Sequence, residues 1–196
     1  EGTAQEALID RLTLRSMKQA KYTTECTGHF GLAAKYYCHF TSPIRRYPDL
    51  QIHRIIKDTL RGRMKEEKLQ HYQMILDEVA KQSSERERRA AEVERETIRL
   101  KKAEYMSRHL YEEFDGVISG MTAWGIYVEL PNTVEGLVRA SSLQGDYFEY
   151  NESTYEMVGA HTGKTWKLGQ SVRIRVAGAD TKARTIDFEM AESQEE

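Results

Sequence analysis

Cysteine and proline are scarce in this chain, and no long apolar run is present. The two cysteines, Cys26 and Cys38, are too few for a disulfide framework, so we expect a protein of a reducing compartment, the cytoplasm. The first residues lack the basic start and apolar stretch of a signal peptide. No apolar run approaches the length that crosses a bilayer, so we expect no membrane partner.

Each cysteine lies close to a histidine, Cys26 near His29 and Cys38 beside His39. This proximity raises the possibility of a zinc site. The spacing lacks the paired Cys-x-x-Cys arrangement of structural zinc sites, so buried thiols are the simpler interpretation.

The strong positive charge that many nucleic-acid binders carry is also missing, since the net charge is −2. The two halves differ, because residues 1–113 carry a net +4 and residues 114–196 a net −6. A nucleic-acid site in the second half must therefore depend on stacking and a local patch rather than on bulk charge.

Glycine and proline are absent from residues 65–111, which predicts one long helix or two helices in line. Residues 4–61 also favour helix, with a break at residues 28–31 and a second helix that Pro48 opens and Gly62 ends. Apolar residues at spacings of three and four mark the inner faces of these helices. In chain order they are Ala7, Leu8, Leu12, Leu14, Ile52, Ile55, Ile56, Leu60, Leu69, Tyr72, Leu76, Val79, Ile98, Met106 and Leu110.

From Asp115 onward the apolar period changes from that of a helix to that of a strand. Short alternating runs separated by glycines predict five strands in about 80 residues, a number typical of a small closed barrel with the OB fold. Residues 144–168 predict a long loop or hairpin between the third and fourth strands.

Two adjacent arginines, Arg45 and Arg46, follow a predicted helix start. Thr41 or Ser42 can cap a helix that Pro43 opens, and the free N–H groups of such a start favour an anion. The planar guanidinium groups suit a phosphate. The alternative is a structural arginine pair in salt bridges with carboxylates.

The stretch His-Phe-Thr-Ser-Pro-Ile-Arg-Arg-Tyr-Pro-Asp-Leu, residues 39–50, closely resembles the signature that ends the catalytic domain of the ribonuclease II/ribonuclease R family. These are processive 3′→5′ exoribonucleases. The resemblance implies that Arg45 lies against a phosphate at the metal centre. Residues 84–90 match the family's Ser-x-x-Glu-Arg-Arg-Ala, which implies that Glu87 lines the RNA channel near the terminal nucleotide. The alternative for this charged run is a solvated helix face.

The second half resembles the S1 RNA-binding domain. Trp124 and Tyr127 fill the two aromatic positions of its aromatic-Gly-x-aromatic pattern, and residues 135–138 supply the following Glu-Gly-Leu-Val. Arg139 stands where family members often have histidine, and it can still stack or bind phosphate. The alternative is that both aromatic rings belong to the core. A matching Asp-x-x-x-Arg completes the set of residues that we assign to RNA: Arg46, Tyr47, Trp124, Tyr127, Arg139, Asp180 and Arg184.

The expected fold is therefore α+β. We expect the helical C-terminal part of an RNB catalytic domain with a long helix over residues 1–111, a five-stranded OB-fold S1 barrel over residues 112–191, and an acidic tail over residues 192–196.

The resemblance implies metal-dependent hydrolysis of RNA to nucleoside 5′-monophosphates, with Mg²⁺ held by an aspartate cluster well before the arginine signature. Upstream of Arg45 the chain offers only Glu1, Glu6, Asp10 and Glu25. We therefore predict no metal ligands in this chain. We expect it to be inactive alone, with single-stranded RNA 3′ ends and the missing N-terminal part of the catalytic domain as its partners.

Two other functions stay open at the level of sequence. The chain could be a non-catalytic RNA-binding module. A phosphorolytic enzyme with an S1 domain is a weaker option, because it would not explain the Ser-Pro-Ile-Arg-Arg sequence of residues 42–46.

Overall fold

A computed structural model describes Thr13, Leu14 and residues 16–191 of the chain. These residues fall into two compact units, one formed by Lys18–Glu94 and the other containing the residues from Arg95 onward. The predicted acidic tail and the apolar positions before residue 13 lie outside the described residues. No helix in the described part has the length and apolarity needed to cross a membrane.

The first unit contains helix α1, Tyr47–Leu60, and most of helix α2, Glu66–Met106. The prediction of helix before Pro48 is wrong for residues 18–46, which hold only a short 3₁₀ turn, Phe30–Leu32. A left-handed glycine and a local side-chain hydrogen bond oppose helix formation here. Gly28 has a φ of +76°, and the Thr23 hydroxyl accepts the N–H of Glu25 at 3.1 Å, which competes with helical hydrogen bonds.

No helix opens at Pro43, contrary to the sequence prediction. The N–H groups of Arg45 and Arg46 both donate to the carbonyl of Ser42, at 3.2 and 3.0 Å, and form a single turn. Arg46 then adopts extended backbone and becomes the N-cap of α1, with Pro48 in the first helical turn. The extended backbone of Arg46 separates the turn at residues 42–46 from α1.

The end of α1 follows the prediction, since the helix stops at Leu60 and Gly62 adopts a φ of +62°. The predicted inner stripe of α1 is wrong in part. Leu60 is 82% exposed, whereas Asp49 and Gln51 are the buried residues of this helix.

The two cysteines, Cys26 and Cys38, are exposed and free, so the prediction of buried thiols is wrong.

Helix α2 is one continuous helix of 41 residues, which confirms the long helix predicted from the absence of glycine and proline. Near its start Tyr72 is buried and its hydroxyl donates to Asp58 of α1 at 2.8 Å. Near its end Ala103 and Met106 are fully buried in the apolar core of the barrel unit. The last turns of α2 therefore belong structurally with the barrel. The domain boundary predicted at residue 111 stays a prediction.

Eight strands follow α2: β1 Glu113–Thr122, β2 Gly125–Glu129, β3 Glu135–Arg139, β4 Phe148–Asn151, β5 Glu156–Gly159, β6 Thr165–Trp166, β7 Ser171–Asp180 and β8 Thr185–Met190. Five of them close into a barrel, as the sequence predicts, and their order is β1-β2-β3-β8-β7. Strands β3 and β8 are parallel, and the other neighbouring pairs are antiparallel. The segment predicted as a loop or hairpin forms a separate sheet of three short strands, β4, β5 and β6.

Alternation along β2 separates the core from the outer face. Ile126 and Val128 are fully buried, whereas Tyr127 between them is partly exposed. Gly125 starts the strand with a φ of +152°, and a Cβ there would lie 2.1 Å from the carbonyl oxygen of Val138. Only glycine fits this approach of β2 to β3, which accounts for the glycine between the two aromatic residues.

Asp146 lies just before β4, and its side chain binds the turn between β5 and β6. Its carboxylate accepts the Thr162 N–H at 2.6 Å, the Thr162 hydroxyl at 2.7 Å and the His161 N–H at 2.9 Å. These hydrogen bonds, first those from Thr162, hold the pKa of Asp146 well below its usual range. One ionised side chain therefore fixes the turn that follows β5.

Candidate functional site

Four residues assigned from the sequence line one cavity in the unit Lys18–Glu94. The cavity has a volume of about 640 Å³. The turn before α1 contributes Arg45 and Arg46, the start of α1 contributes Tyr47, and α2 contributes Glu87. The fold thus brings together residues that are 40 positions apart in the chain.

Arg46 is held by Asp49, one turn along α1. Its Nε and Nη2 atoms donate to Oδ2 of Asp49 at 3.2 and 2.8 Å, and the Ser42 N–H donates to the same oxygen at 2.8 Å. Burial of Asp49 opposes ionisation, but the hydrogen bonds from Ser42 and Arg46 outweigh it and lower the pKa of this carboxyl. Arg46 therefore has the structural salt bridge that the sequence left as an alternative, and its contact with RNA stays a prediction.

Arg45 has the opposite environment. Its side chain is exposed, and no described residue forms a hydrogen bond or ion pair with it. Tyr47 is about half exposed at 48%, with the Arg54 guanidinium 5.8 Å from its ring centre. The cavity thus contains one arginine committed to a buried carboxylate and one available to an anion.

Tyr22 lines the same cavity, and sequence reasoning missed it. Its N–H donates to the Ser84 hydroxyl of α2 at 2.9 Å, and its own hydroxyl lies 3.1 Å from Nδ1 of His39. Burial, and then the nearby Glu87 carboxylate, raises the pKa of Tyr22 to about 12. The hydroxyl therefore stays protonated at neutral pH. No motif marks Tyr22, because it lies in an irregular segment.

A second cavity, of about 530 Å³, lies between the end of α2 and the outer face of β2, β3 and β8. It brings together Tyr127, Arg139 and Arg184, three of the residues assigned to RNA. Arg139 pairs with Asp187 at 3.2 Å. The sequence did not predict that α2 forms one wall of this cavity, because charged residues on a helix are typical of a solvated face. That wall consists of Arg95, Glu96, Ile98, Arg99 and Lys102.

Trp124 lies outside this cavity, in the turn between β1 and β2, where it is 77% exposed. Tyr127 faces outward on β2. The alternative that both rings belong to the core is therefore wrong. The exposed Trp124 ring and the partly exposed Tyr127 ring can each stack on a base.

Asp180 shapes the turn between β7 and β8. Its carboxylate accepts the N–H groups of Lys182 and Ala183 at 2.7 and 2.9 Å, and the hydrogen bond from Ala183 is the main reason that its pKa is lowered. Arg184 ends this turn with a φ of +58°. Asp180 thus holds the turn that presents Arg184, and direct contact of Asp180 with RNA stays a prediction.

A magnesium site would need several carboxylates directed at one point. Within residues 13–14 and 16–191, no three His, Cys, Asp or Glu side chains come together in this way. The described residues therefore do not fit the ion that the resemblance implies.

The geometry defines a class of protein: a helical segment with an arginine-lined cavity, followed by an S1-type barrel. Family models agree, since residues 1–62 match the RNB domain and residues 111–191 match the S1 RNA binding domain. The chain is 46% identical to Ribonuclease R 1 of Lactococcus lactis over 99% of its length, and 44% identical to Ribonuclease R of Aquifex aeolicus over 100%. The chain belongs to the ribonuclease R family.

The chain spans about a quarter of the length of these relatives, 24% and 28% respectively. The apo form of Mycoplasma genitalium RNase R has the same fold over 97% of this chain and 30% of that protein, with a TM-score of 0.87 at 24% identity. The same enzyme has also been solved in complex with ribose methylated single-stranded RNA. The α+β architecture predicted from the sequence is thereby confirmed.

Proposed function

We propose that this chain forms part of a cytoplasmic 3′→5′ exoribonuclease that hydrolyses RNA processively to nucleoside 5′-monophosphates. The observation that carries the proposal is the cavity in which Arg45, without a partner among the described residues, lies with Arg46, Tyr47 and Glu87. A free guanidinium beside a nucleotide-sized space is suited to a phosphate whose negative charge increases during cleavage.

Each residue of the cavity has a separate task in this proposal. Arg45 stabilises charge on the scissile phosphate, and Arg46 and Glu87 position the terminal nucleotides. Tyr47 offers a half-exposed ring to a base or sugar. The protonated Tyr22 hydroxyl adds a hydrogen-bond donor to the same wall.

The metal requirement belongs to the longer protein. We propose that Mg²⁺ is held by aspartates in the remaining, N-terminal part of the catalytic domain, because the described residues do not converge on an ion. Bound there, such ions would supply Lewis-acid chemistry for phosphodiester cleavage. Arg45 contributes the complementary positive charge from this chain.

The barrel would hold the incoming single strand. Trp124 and Tyr127 stack on bases, and Arg139 and Arg184 contact phosphates at the cavity beside Tyr127. The second half of the chain is acidic overall, so the sequence predicts that RNA binding there depends on stacking and a local basic patch. The proposed contacts agree with that prediction.

Replacing the Trp124 and Tyr127 rings tests the RNA-binding part of the proposal. Trp124→Ala and Tyr127→Ala should each weaken binding of the chain to single-stranded RNA by about 1–3 kcal/mol, because one base stack is removed. The loss should be similar for poly-U and poly-A, since every base has a stacking face. Fluorescence anisotropy at fixed salt measures the affinities.

Tyr147→Ala is the matched control, because Tyr147 is 67% exposed in the same unit and lines neither cavity. This variant should bind RNA as the unmodified chain does. Unchanged affinity of the Trp124 and Tyr127 variants, with folding confirmed by circular dichroism, would contradict the stacking role.

A non-catalytic RNA-binding module is the second candidate. It is favoured by one observation: the stacking face and its arginines lie within the described residues, whereas no carboxylate cluster does. The two candidates differ in whether the longer protein releases nucleotides from an RNA 3′ end.

A further inference from the structure

Two arginines from different elements hold one carboxylate at the barrel cavity. Nη1 of Arg99, on α2, donates to Oε1 of Glu96 at 2.8 Å. Nη1 of Arg184, at the end of the β7–β8 turn, donates to Oε2 of the same side chain. The hydrogen bond from Arg184, together with the charge of Arg99, lowers the pKa of Glu96, so the carboxylate is ionised at neutral pH.

This carboxylate lies in the cavity that also contains Tyr127. Lys102 follows Arg99 on the same helix, lines the cavity, and donates to the carbonyl of Thr133. The cavity volume of about 530 Å³ falls in the range of about 300–1,000 Å³ that accommodates small ligands. An aromatic ring and several cations thus surround a space of nucleotide size.

Two guanidinium groups directed at the two oxygens of one anion form a geometry that suits a phosphate as well as a carboxylate. The ion pair between Glu96 and Arg184 lies near the surface, with the Arg184 side chain 44% exposed and that of Glu96 34% exposed. Such exposed pairs contribute little to stability, so an RNA phosphate can displace the carboxylate at small cost.

We propose that the cavity between α2 and the barrel binds a phosphate of single-stranded RNA through Arg99 and Arg184, and that the Glu96 carboxylate occupies this phosphate position when RNA is absent. This rests on the proposed function of the barrel in RNA binding and extends the interface to a helix outside the barrel. RNA must separate Glu96 from both arginines before a phosphate can bind, so Glu96 lowers the affinity for RNA.

The test compares Glu96→Gln with Glu94→Gln in the 196-residue chain, using a short fluorescent oligouridylate. Both changes remove one negative charge from α2. Glutamine at position 96 keeps the shape of the side chain but loses the ion pair, so affinity should rise about two- to fivefold, the scale of an exposed ion pair. Glu94 is exposed and lies outside the cavity, so its variant should bind as the unmodified chain does.

A double variant separates a specific effect from a general charge effect. Since Glu96 is held by Arg184 as well as by Arg99, the gain in RNA affinity from Glu96→Gln should be smaller in the Arg184→Gln background. Arg184→Gln alone should weaken binding and reduce its dependence on salt concentration, because one phosphate contact is lost.

The outcomes distinguish this inference from the function on which it rests. A chain that binds no RNA, or binds it equally well after Tyr127→Ala, contradicts the proposed function. A chain that binds RNA through Tyr127, but in which Glu96→Gln has no more effect than Glu94→Gln, overturns the inference alone. Retention of the full gain after Arg184→Gln would also overturn it.

Discussion

Arg45 and Arg46 are adjacent in the chain but have different physical roles. The Arg46 side chain is 20% exposed and shares one oxygen of a fully buried Asp49 with the Ser42 N–H. The Arg45 side chain is exposed and has no partner in the part of the chain that the structure describes. Arg46 therefore maintains the shape of the turn, and Arg45 is free to contact a ligand.

Arg46→Ala should lower the stability of the unit Lys18–Glu94, because it leaves Asp49 as a buried carboxylate with a single hydrogen bond. The expected loss is about 2–4 kcal/mol, as for breaking a buried, hydrogen-bonded ion pair. Arg45→Ala is the matched control and should change stability by no more than about 0.5 kcal/mol. Urea unfolding followed by circular dichroism measures both, and equal stabilities of the two variants would refute the assignment.

The sequence could predict which residues line the cavity in the unit Lys18–Glu94, but not the separate role of each residue. The resemblance to the ribonuclease signature placed Arg45, Arg46 and Glu87 near one RNA end. The pairing of Arg46 with Asp49 depends on Arg46 being the extended N-cap of α1, whereas the sequence predicts a helix that opens at Pro43 and includes Arg46. Tyr22 was unpredictable, because its position depends on a contact with Ser84, 62 residues away.

At the scale of elements, the spacing of apolar residues predicts the structure correctly where buried and exposed positions alternate regularly. The barrel strands alternate between core and surface, and α2 has neither glycine nor proline, so both could be read from the sequence. Residues 18–46 have no regular hydrogen-bonded pattern and follow side-chain contacts instead. The small sheet was only partly predictable, because its third strand, Thr165–Trp166, is too short to show a period.

The small sheet should depend on pH through Asp146. Its pKa is lower in the folded chain than the value of about 3.9 expected when unfolded. Ionised Asp146 therefore stabilises the fold fully above about pH 4, and this contribution is lost as the pH falls through the folded pKa. Asp146→Asn should be less stable than the unmodified chain at neutral pH, and the gap should narrow below about pH 4.

Thermal unfolding from neutral to acidic pH measures this gap. Glu152→Gln is the control, because Glu152 is an exposed acidic residue between β4 and β5. It should leave the pH profile unchanged. A gap between Asp146→Asn and the unmodified chain that is constant with pH would show that the carboxylate charge is not what stabilises the turn.

At the scale of the whole molecule, each compact unit carries its own candidate site. Binding and cleavage of RNA should therefore be separable by mutation.

In the longer protein, Arg45→Ala should lower kcat by about 10²–10³-fold, the usual effect of removing one donor to a developing oxyanion. Arg45→Lys should recover little, because a point charge does not replace the planar fork. Single-turnover cleavage of a short oligoribonucleotide, with affinity measured separately, is the assay.

Two comparisons control this experiment. Arg46→Ala should be milder in kcat and appear partly in KM, once corrected for its lower stability. The 196-residue chain should bind the same RNA without releasing nucleotides, with or without Mg²⁺. Cleavage by Arg45→Ala at the unmodified rate under saturating RNA would contradict the proposed role of Arg45 in catalysis.

The closed order of the barrel strands has a consequence for self-association. Each of the five strands has a hydrogen-bonded neighbour on both sides, so the barrel presents no unpaired edge to a second chain. Within residues 16–191, the remaining sheet edges belong to β4, with four residues, and β6, with two. Edges this short are poor templates for intermolecular pairing, so the barrel unit should resist aggregation at concentrations where an open sheet of similar size would not.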